Sequence, residues 1–336
     1  GPRALAGASA RAGGSPGAVV RVGGSRRAHD GILGVVLAIE DLRILMTRSL
    51  FTILQSNQDA SVNWVRPMSV GCQEARYVRR VGRYFIVYLS SQSGCAQGCR
   101  MCHLTATRQT RFVNTTVDDF AAQADIALGW YRELANPAEV VHFNFMARGE
   151  PLSNPVMLDH SREVLLTLGD RALGMGLRPR FLISTIMPKS IRGRALADVF
   201  PLVQPELYYS IYSIDDVFRR RWLPAAMPVN AALHQMREWQ RFSSKVIKIH
   251  YAFIAGENDA LKDVTRVCDA VKDHRLLVNV NIVRFNPPPG SDARESSESV
   301  VERNAMAFRE HLPGARVKVV PRVGPDVHAS CGMFVG

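Results

Sequence analysis

From about Arg83 the chain alternates short apolar, β-branched or aromatic runs with longer stretches of helical spacing, and this alternation constrains the fold more than any other feature. The spacing predicts strands over Tyr84–Leu89, Val140–Met146, Arg180–Thr185, Leu207–Tyr212, Val246–Ile254 and Val278–Phe285. Helices are expected between them over Val117–Leu134, Asp159–Leu168, Asn230–Phe242 and Asp259–Lys272. Six such repeats imply an α/β fold with a parallel, barrel-like sheet, because parallel strands need crossover connections. Ligands of such sheets gather where strands end and loops begin, so chemistry is sought just after each strand.

The chain can support this fold: 336 residues, 47% of them hydrophobic, exclude disorder throughout. A membrane span would need about 20 apolar residues. The best run, Ile32 to Ile39, is closed by Glu40 and Asp41, so a soluble, cytoplasmic protein with no membrane partner is expected. Residues 1 to 30 are Gly, Ala, Ser and Arg with almost no acids. The expected layout is a disordered leader over 1–45, a short N-terminal region over 46–82, the barrel over 83–313 and a C-terminal strand and loop over 314–336. The initial Gly-Pro reads as a tag-cleavage scar and Met46 as a natural start. The formal charge of +12 makes a polyanionic partner plausible, but Arg3, Arg11, Arg21, Arg26 and Arg27 against Asp30 place +4 of it in the leader.

Six cysteines are too few for a disulfide scaffold, and three crowd into Gly94-Cys95-Ala96-Gln97-Gly98-Cys99-Arg100-Met101-Cys102, directly after the first expected barrel strand. Three thiolates can wrap one metal centre. A [4Fe–4S] cluster normally takes four, so three would leave one iron open to a small molecule. Zinc with His103 as fourth ligand is the alternative, disfavoured because adjacent Cys102 and His103 would have difficulty reaching one tetrahedral ion.

The C-x3-C-x2-C spacing in this setting resembles the radical S-adenosylmethionine (SAM) superfamily. Further matches run in order along the chain: Ser90-Ser91-Gln92-x-Gly94-Cys95, Gly149-Glu150-Pro151-Leu152-x-Asn154, Ile183-Ser184-Thr185, Ser210-Ile211-Tyr212, Phe285-Asn286-Pro287-x-Pro289-Gly290 and Gly324-x-Asp326-Val327-x-Ala329-Ser330-Cys331-Gly332. Together they resemble the RlmN/Cfr family of radical-SAM methyl synthases, over roughly residues 71 to 336. The resemblance implies a partial (β/α)6 barrel, a [4Fe–4S] cluster on Cys95, Cys99 and Cys102, and SAM as methyl and radical source. It also implies methylation of an adenine carbon, C2 or C8, in rRNA or tRNA, with electrons from a flavodoxin- or ferredoxin-type donor.

Carried over by residue, Cys331 would receive the methyl group and attack the base. Gly149 and Glu150 would meet the amino group of SAM, and Ser184, Ser210, Tyr212 and Asn286 its ribose, carboxylate or adenine. Glu74 would accept the proton that the attacked carbon sheds, the alternative being an exposed strand acid. Cys268, in a helical stretch, is read as structural.

Three departures stand out. Tyr88 occupies the position of the family's second, resolving cysteine, and a phenol cannot form the disulfide that breaks the enzyme–base adduct. The stretch from His103 to Gln109 is about two residues longer than the family pattern, and the N-terminal accessory region is reduced. Two basic, aromatic-interleaved stretches are candidate RNA contacts: Arg76, Arg79, Arg80 and Arg83 with Tyr77 and Tyr84, and Arg219-Arg220-Arg221-Trp222. The readings left open are a radical-SAM enzyme with another nucleic-acid or peptide substrate, and an RNA-binding protein with a non-catalytic cluster.

Overall fold

The structure is a computed structural model that describes residues 49–134 and 136–336; the expected leader and Met46 lie outside the described residues. Ten strands form one sheet in chain order. They are β1 (Thr52–Gln55), β2 (Val62–Pro67), β3 (Cys72–Val81), β4 (Tyr84–Leu89), β5 (Val140–Phe145), β6 (Arg178–Thr185), β7 (Glu206–Ser210), β8 (Ile247–Tyr251), β9 (Val278–Val283) and β10 (Val317–Val320). The strands from β1 to β4 pair antiparallel. From β4 to β10 every pairing is parallel, with registers such as Tyr84↔Val140, Ile183↔Leu207 and Val317↔Val280.

Helices cover the outer face, as parallel crossovers require. Val117–Glu133 is started by Thr116, whose hydroxyl accepts from the Asp119 N–H at 3.2 Å while the Asp119 carboxylate returns a bond to the Thr116 N–H. Period-two alternation on the strands sorts side chains between two environments. On β4, Phe85, Val87 and Leu89 are fully buried in the main core, whereas Tyr84, Ile86 and Tyr88 line an interior cavity of about 510 Å³. On β6, Arg180, Leu182 and Ser184 line the same cavity, as do Lys248 and His250 on β8.

The partial barrel is present, with differences from expectation at its margins. The expected strands Leu207–Tyr212 and Val246–Ile254 are shorter because their apolar residues continue past the ladder. Tyr212 takes a left-handed backbone (φ 52°), and Ala252, Phe253 and Ile254 are buried in the loop beyond β8. The expected helix Asp159–Leu168 is two helices, Pro155–Asp159 and Ser161–Gly174, broken at His160 (φ −127°). After the helix Glu298–His311, β10 falls where a C-terminal strand is expected and joins the six barrel strands in parallel beside β9. Residues before 83 extend the same sheet as β1–β3.

Beyond β10 the chain returns across the sheet. Val323 packs against Val78 and Ile86 of β3 and β4. Gly324 (φ 46°) then turns so tightly that a Cβ would stand 2.7 Å from the Ser61 Cβ. Asp326 accepts from the Ser56 hydroxyl at 2.8 Å and the Asn57 N–H at 2.9 Å, and Ser330 is clipped to the backbone of Val323 at 2.8 and 3.1 Å. The C-terminal tail is thereby strapped to β1–β3. No helix among the described residues is long and apolar enough to cross a membrane.

Candidate active site

The cysteine loop leaves β4 through Ser90–Ser93, all buried. It is pinned at both ends: the Ser91 N–H donates to the Arg148 carbonyl at 2.7 Å, and the Cys95 N–H to the Gln109 carbonyl at 3.0 Å. Cys95, Cys99 and Cys102 are free thiols. Burial pushes Cys95 up to about 12, Cys102 up to about 11 and Cys99 well above the usual thiol range, with mutual repulsion among the three adding to the shift at Cys95 and Cys99. Such thiols stay protonated until a strong positive centre displaces the protons, which suits an iron-sulfur cluster. Among the described residues no group of three His, Cys, Asp or Glu is placed to hold a single metal ion.

Across the cavity the strand ends present polar groups that lack cationic partners. Glu150, after β5, is buried. Its carboxylate accepts only from backbone N–H groups of Leu152 and Ile186, at 3.1 Å each, and from the Thr185 hydroxyl; burial raises it to about 7. A buried carboxyl held this way has no cation beside it, and one brought to it would favour its charged form. Gly149 (φ 89°) allows the close approach: a Cβ there would meet the Gln92 backbone nitrogen and the Ser91 hydroxyl at 2.7 Å. The Ser184 and Ser210 hydroxyls stand 3.4 Å apart, and Ser184 is 3.3 Å from His250 Nδ1. Tyr212 is held in its left-handed conformation by the Asn258 amide, which donates to its carbonyl at 2.7 Å. A non-glycine residue in that region costs about 1–3 kcal/mol, a cost that tends to persist at functional positions.

Cys331 opens onto this cavity together with Cys99, Cys102, Glu150, Ser184, Ser210 and Tyr212. The surrounding protein pushes its thiol up, while Arg76 and Arg80 pull it down. Tyr88 lines the same cavity and senses the charge of Cys331. Asn286 also reaches the cavity, but its amide donates to the Cys331 carbonyl at 2.8 Å and its oxygen accepts from Arg322 at 2.8 Å. In this arrangement it fixes the Cys331 loop.

Glu74 lies on β3 with no exposure, which corrects the alternative of an exposed strand acid. One oxygen accepts from Arg148 Nε at 2.8 Å and the Val335 N–H at 3.0 Å. The other accepts from Arg76 Nη2 at 2.7 Å and the Asn63 amide at 2.9 Å. Burial disfavours its charge, but the two guanidinium groups and these bonds outweigh that and hold the carboxyl below its ordinary range.

The basic stretches are corrected in part. Arg76, Tyr77, Arg219 and Trp222 are buried, and the Arg219 guanidinium donates to the carbonyls of Ile211, Ser213 and Met227 at 2.8 to 3.2 Å. Arg79 donates to the Pro137 carbonyl at 2.8 Å and Arg83 pairs with Glu139 at 3.0 Å. Only Arg76, Arg80 and Tyr84 of the first stretch face the cavity. Sequence reasoning missed Arg148; the available signal was an arginine directly after an apolar strand and before Gly149-Glu150.

No protein-family model matches the chain. A dual-specificity RNA methyltransferase RlmN of Phenylobacterium zucineum is 27% identical over 290 residues, 83% of this chain and 71% of that protein. A probable dual-specificity RNA methyltransferase RlmN of Deinococcus deserti is 29% identical over 282 residues, 82% and 77% of the two chains. The fold matches the crystal structure of a radical SAM methyltransferase from Sphaerobacter thermophilus with a TM-score of 0.69, at 21% identity over 84% of this chain and 81% of that one.

In sequence and in fold the chain is similar to proteins of the RlmN type.

Within this family frame, the cysteine loop, the strand-end polar groups and the Cys331 tail meet at one mouth of the barrel. Gln109, at the end of the stretch that follows Cys102, donates to the Val335 carbonyl at 3.2 Å and joins the cysteine loop to the tail.

Proposed function

We propose that this chain is a radical-SAM methyltransferase that modifies an adenine carbon, C2 or C8, of RNA through a methylated Cys331. The observation that carries this reading is the shared cavity of Cys331, Cys99, Cys102 and Glu150. When bound, a [4Fe–4S] cluster and SAM supply one-electron cleavage to a 5′-deoxyadenosyl radical and a transferable methyl group.

Cys95, Cys99 and Cys102 hold the cluster. Glu150 pairs with the amino group of SAM beside Gly149, and Ser184, Ser210 and Tyr212 bind its remaining polar groups, with Asn286 at the rim. Cys331 would take the methyl group of SAM, give up one of its hydrogen atoms to the 5′-deoxyadenosyl radical and bond through that carbon to the base, whose attacked carbon must then shed its own hydrogen. Its thiol must first lose a proton, which Arg76 and Arg80 favour.

A target adenine has to be unpaired or flipped to reach Cys331, which favours single-stranded loops of rRNA or tRNA. A flavodoxin- or ferredoxin-type protein supplies electrons, and the reaction belongs in the cytoplasm. Release of the adduct cannot use a disulfide at position 88, so Tyr88 marks a different final step.

Anaerobic reconstitution with iron, sulfide and SAM, followed by nucleoside mass spectrometry of rRNA and tRNA, tests this reading. A methylated adenosine supports it. Formation of 5′-deoxyadenosine without a methylated nucleoside points to a peptide or small-molecule substrate, and no SAM cleavage at all to a binding protein.

A further inference from the structure

Arg148 is fully buried and its five N–H donors are spread over three parts of the molecule. Its Nε donates to Glu74 at 2.8 Å. Its Nη1 donates to the Ser93 carbonyl, two residues before Cys95, at 3.0 Å, and to the Gln109 side chain, beyond Cys102, at 2.6 Å. Its Nη2 donates to the Val335 carbonyl in the tail. One guanidinium thus holds the start of the cysteine loop, its far end and the segment that carries Cys331.

Arg76 completes the arrangement from the other side of Glu74. It donates to the Met333 carbonyl at 2.7 Å, and the centre of the Phe334 ring is 4.9 Å from the Arg76 guanidinium and 5.8 Å from that of Arg148. Both Glu74 oxygens are occupied and two cations favour its charged form, so it has neither a free lone pair nor proton affinity to spare.

We propose that Arg148 is a positioning residue that couples the order of the cysteine loop to the order of the Cys331 tail, with Glu74 as its buried anchor and not as the proton acceptor. The proposal rests on the reading of these segments as cluster loop and methyl-carrying tail. Because the two segments share one side chain, loosening either loosens the other, which is a coupling free energy between two sites. Lysine cannot replace this, since a single ammonium does not span acceptors fixed by a planar fork.

The test uses the full chain in two arms. The first measures hydrogen exchange of the tail and cysteine-loop amides in the cluster-free protein for Arg148→Lys, Glu74→Gln and Gln109→Ala, the last a milder change at a partly exposed position, included in case the buried variants do not fold. The second measures methylation of Cys331 by SAM in reconstituted enzyme with no RNA present, a step in which a base acting on RNA has no part.

The Val335 amide should exchange about tenfold to a hundredfold faster in the first two variants, the range expected for a lost hydrogen bond to a charged group, and less so in Gln109→Ala. Cys331 methylation should slow in the same order at saturating SAM while half-saturation by SAM barely moves. Wild-type tail exchange and wild-type Cys331 methylation in Glu74→Gln, with a stall only after RNA is added, would overturn the proposal and restore Glu74 as the base. If the wild-type enzyme never methylates Cys331, the proposed function fails, and the exchange arm still decides whether Arg148 couples the two segments.

Discussion

The two halves of the site treat their buried polar groups in opposite ways. At the strand ends, Glu150 is raised to about 7 with no cation beside it, and the Ser184 and Ser210 hydroxyls meet only neutral groups, each other, His250 and Tyr212. Around the tail, Glu74, Arg76, Arg148, Asn286, Asp326 and Ser330 are all engaged with one another, with Ser56 or with backbone. Burying a polar group without a partner is costly, so the incomplete half marks where a ligand belongs and the complete half marks a scaffold. Glu74 and Glu150, both buried carboxylates, differ in this one respect.

The contrast can be broken by substitution. The largest effect is expected at the cysteine loop: alanine at Cys95, Cys99 or Cys102 should abolish bound iron and sulfide after reconstitution, and 5′-deoxyadenosine formation with it. Retention of a full cluster in any of the three would remove that residue from the ligand set.

Next comes Glu150. Its raised pKa means that the folded state holds the proton more tightly than the unfolded chain. Its contribution therefore turns unfavourable as pH rises from about 4.5 to about 7 and is constant above that, a total of roughly 3 kcal/mol. Glu150→Gln should make the cluster-free protein more stable at pH 8, by up to about that amount, with the gain vanishing near pH 4. The same variant should weaken SAM binding about tenfold to a hundredfold at pH 8 and remove the loss of affinity that the wild type shows below pH about 7. Thermal melts and calorimetric titrations against pH measure both; a stability loss at pH 8 would contradict a buried carboxylate with no cation beside it.

Gly149→Ala should cost a few kcal/mol in melting experiments, because about 1–3 kcal/mol of left-handed strain adds to the clash with Gln92 and Ser91. Tyr88→Cys should change the lifetime of a trapped protein–RNA adduct while leaving Cys331 methylation in place; an unaltered lifetime would put position 88 outside the chemistry. The smallest effect belongs to Arg83→Gln: its exposed pair with Glu139 should contribute no more than about 1 kcal/mol. It should also leave the salt dependence of RNA binding unchanged.

The sequence made the first half more legible than the second. Apolar runs such as Tyr84–Leu89 coincide with the strand because their alternation is set by burial on one face, and Gly149 and Glu150 follow directly from a strand end. The tail motif around Cys331 was visible, but the partners that hold it were not. Glu74, Arg76 and Arg148 come from β3 and the end of β5, and no local pattern reports contacts across more than 180 residues. For the same reason Arg76 and Arg219 looked like exposed phosphate contacts although both are buried among carbonyls and aromatic rings.

Cys331 is the proposed methyl carrier. Peptide mass spectrometry of the tail, after anaerobic incubation of reconstituted enzyme with SAM alone, should find one added methyl group on the Cys331 sulfur, absent when Glu150 is replaced by alanine. An unmodified Cys331 in enzyme that nevertheless cleaves SAM and methylates RNA would contradict it.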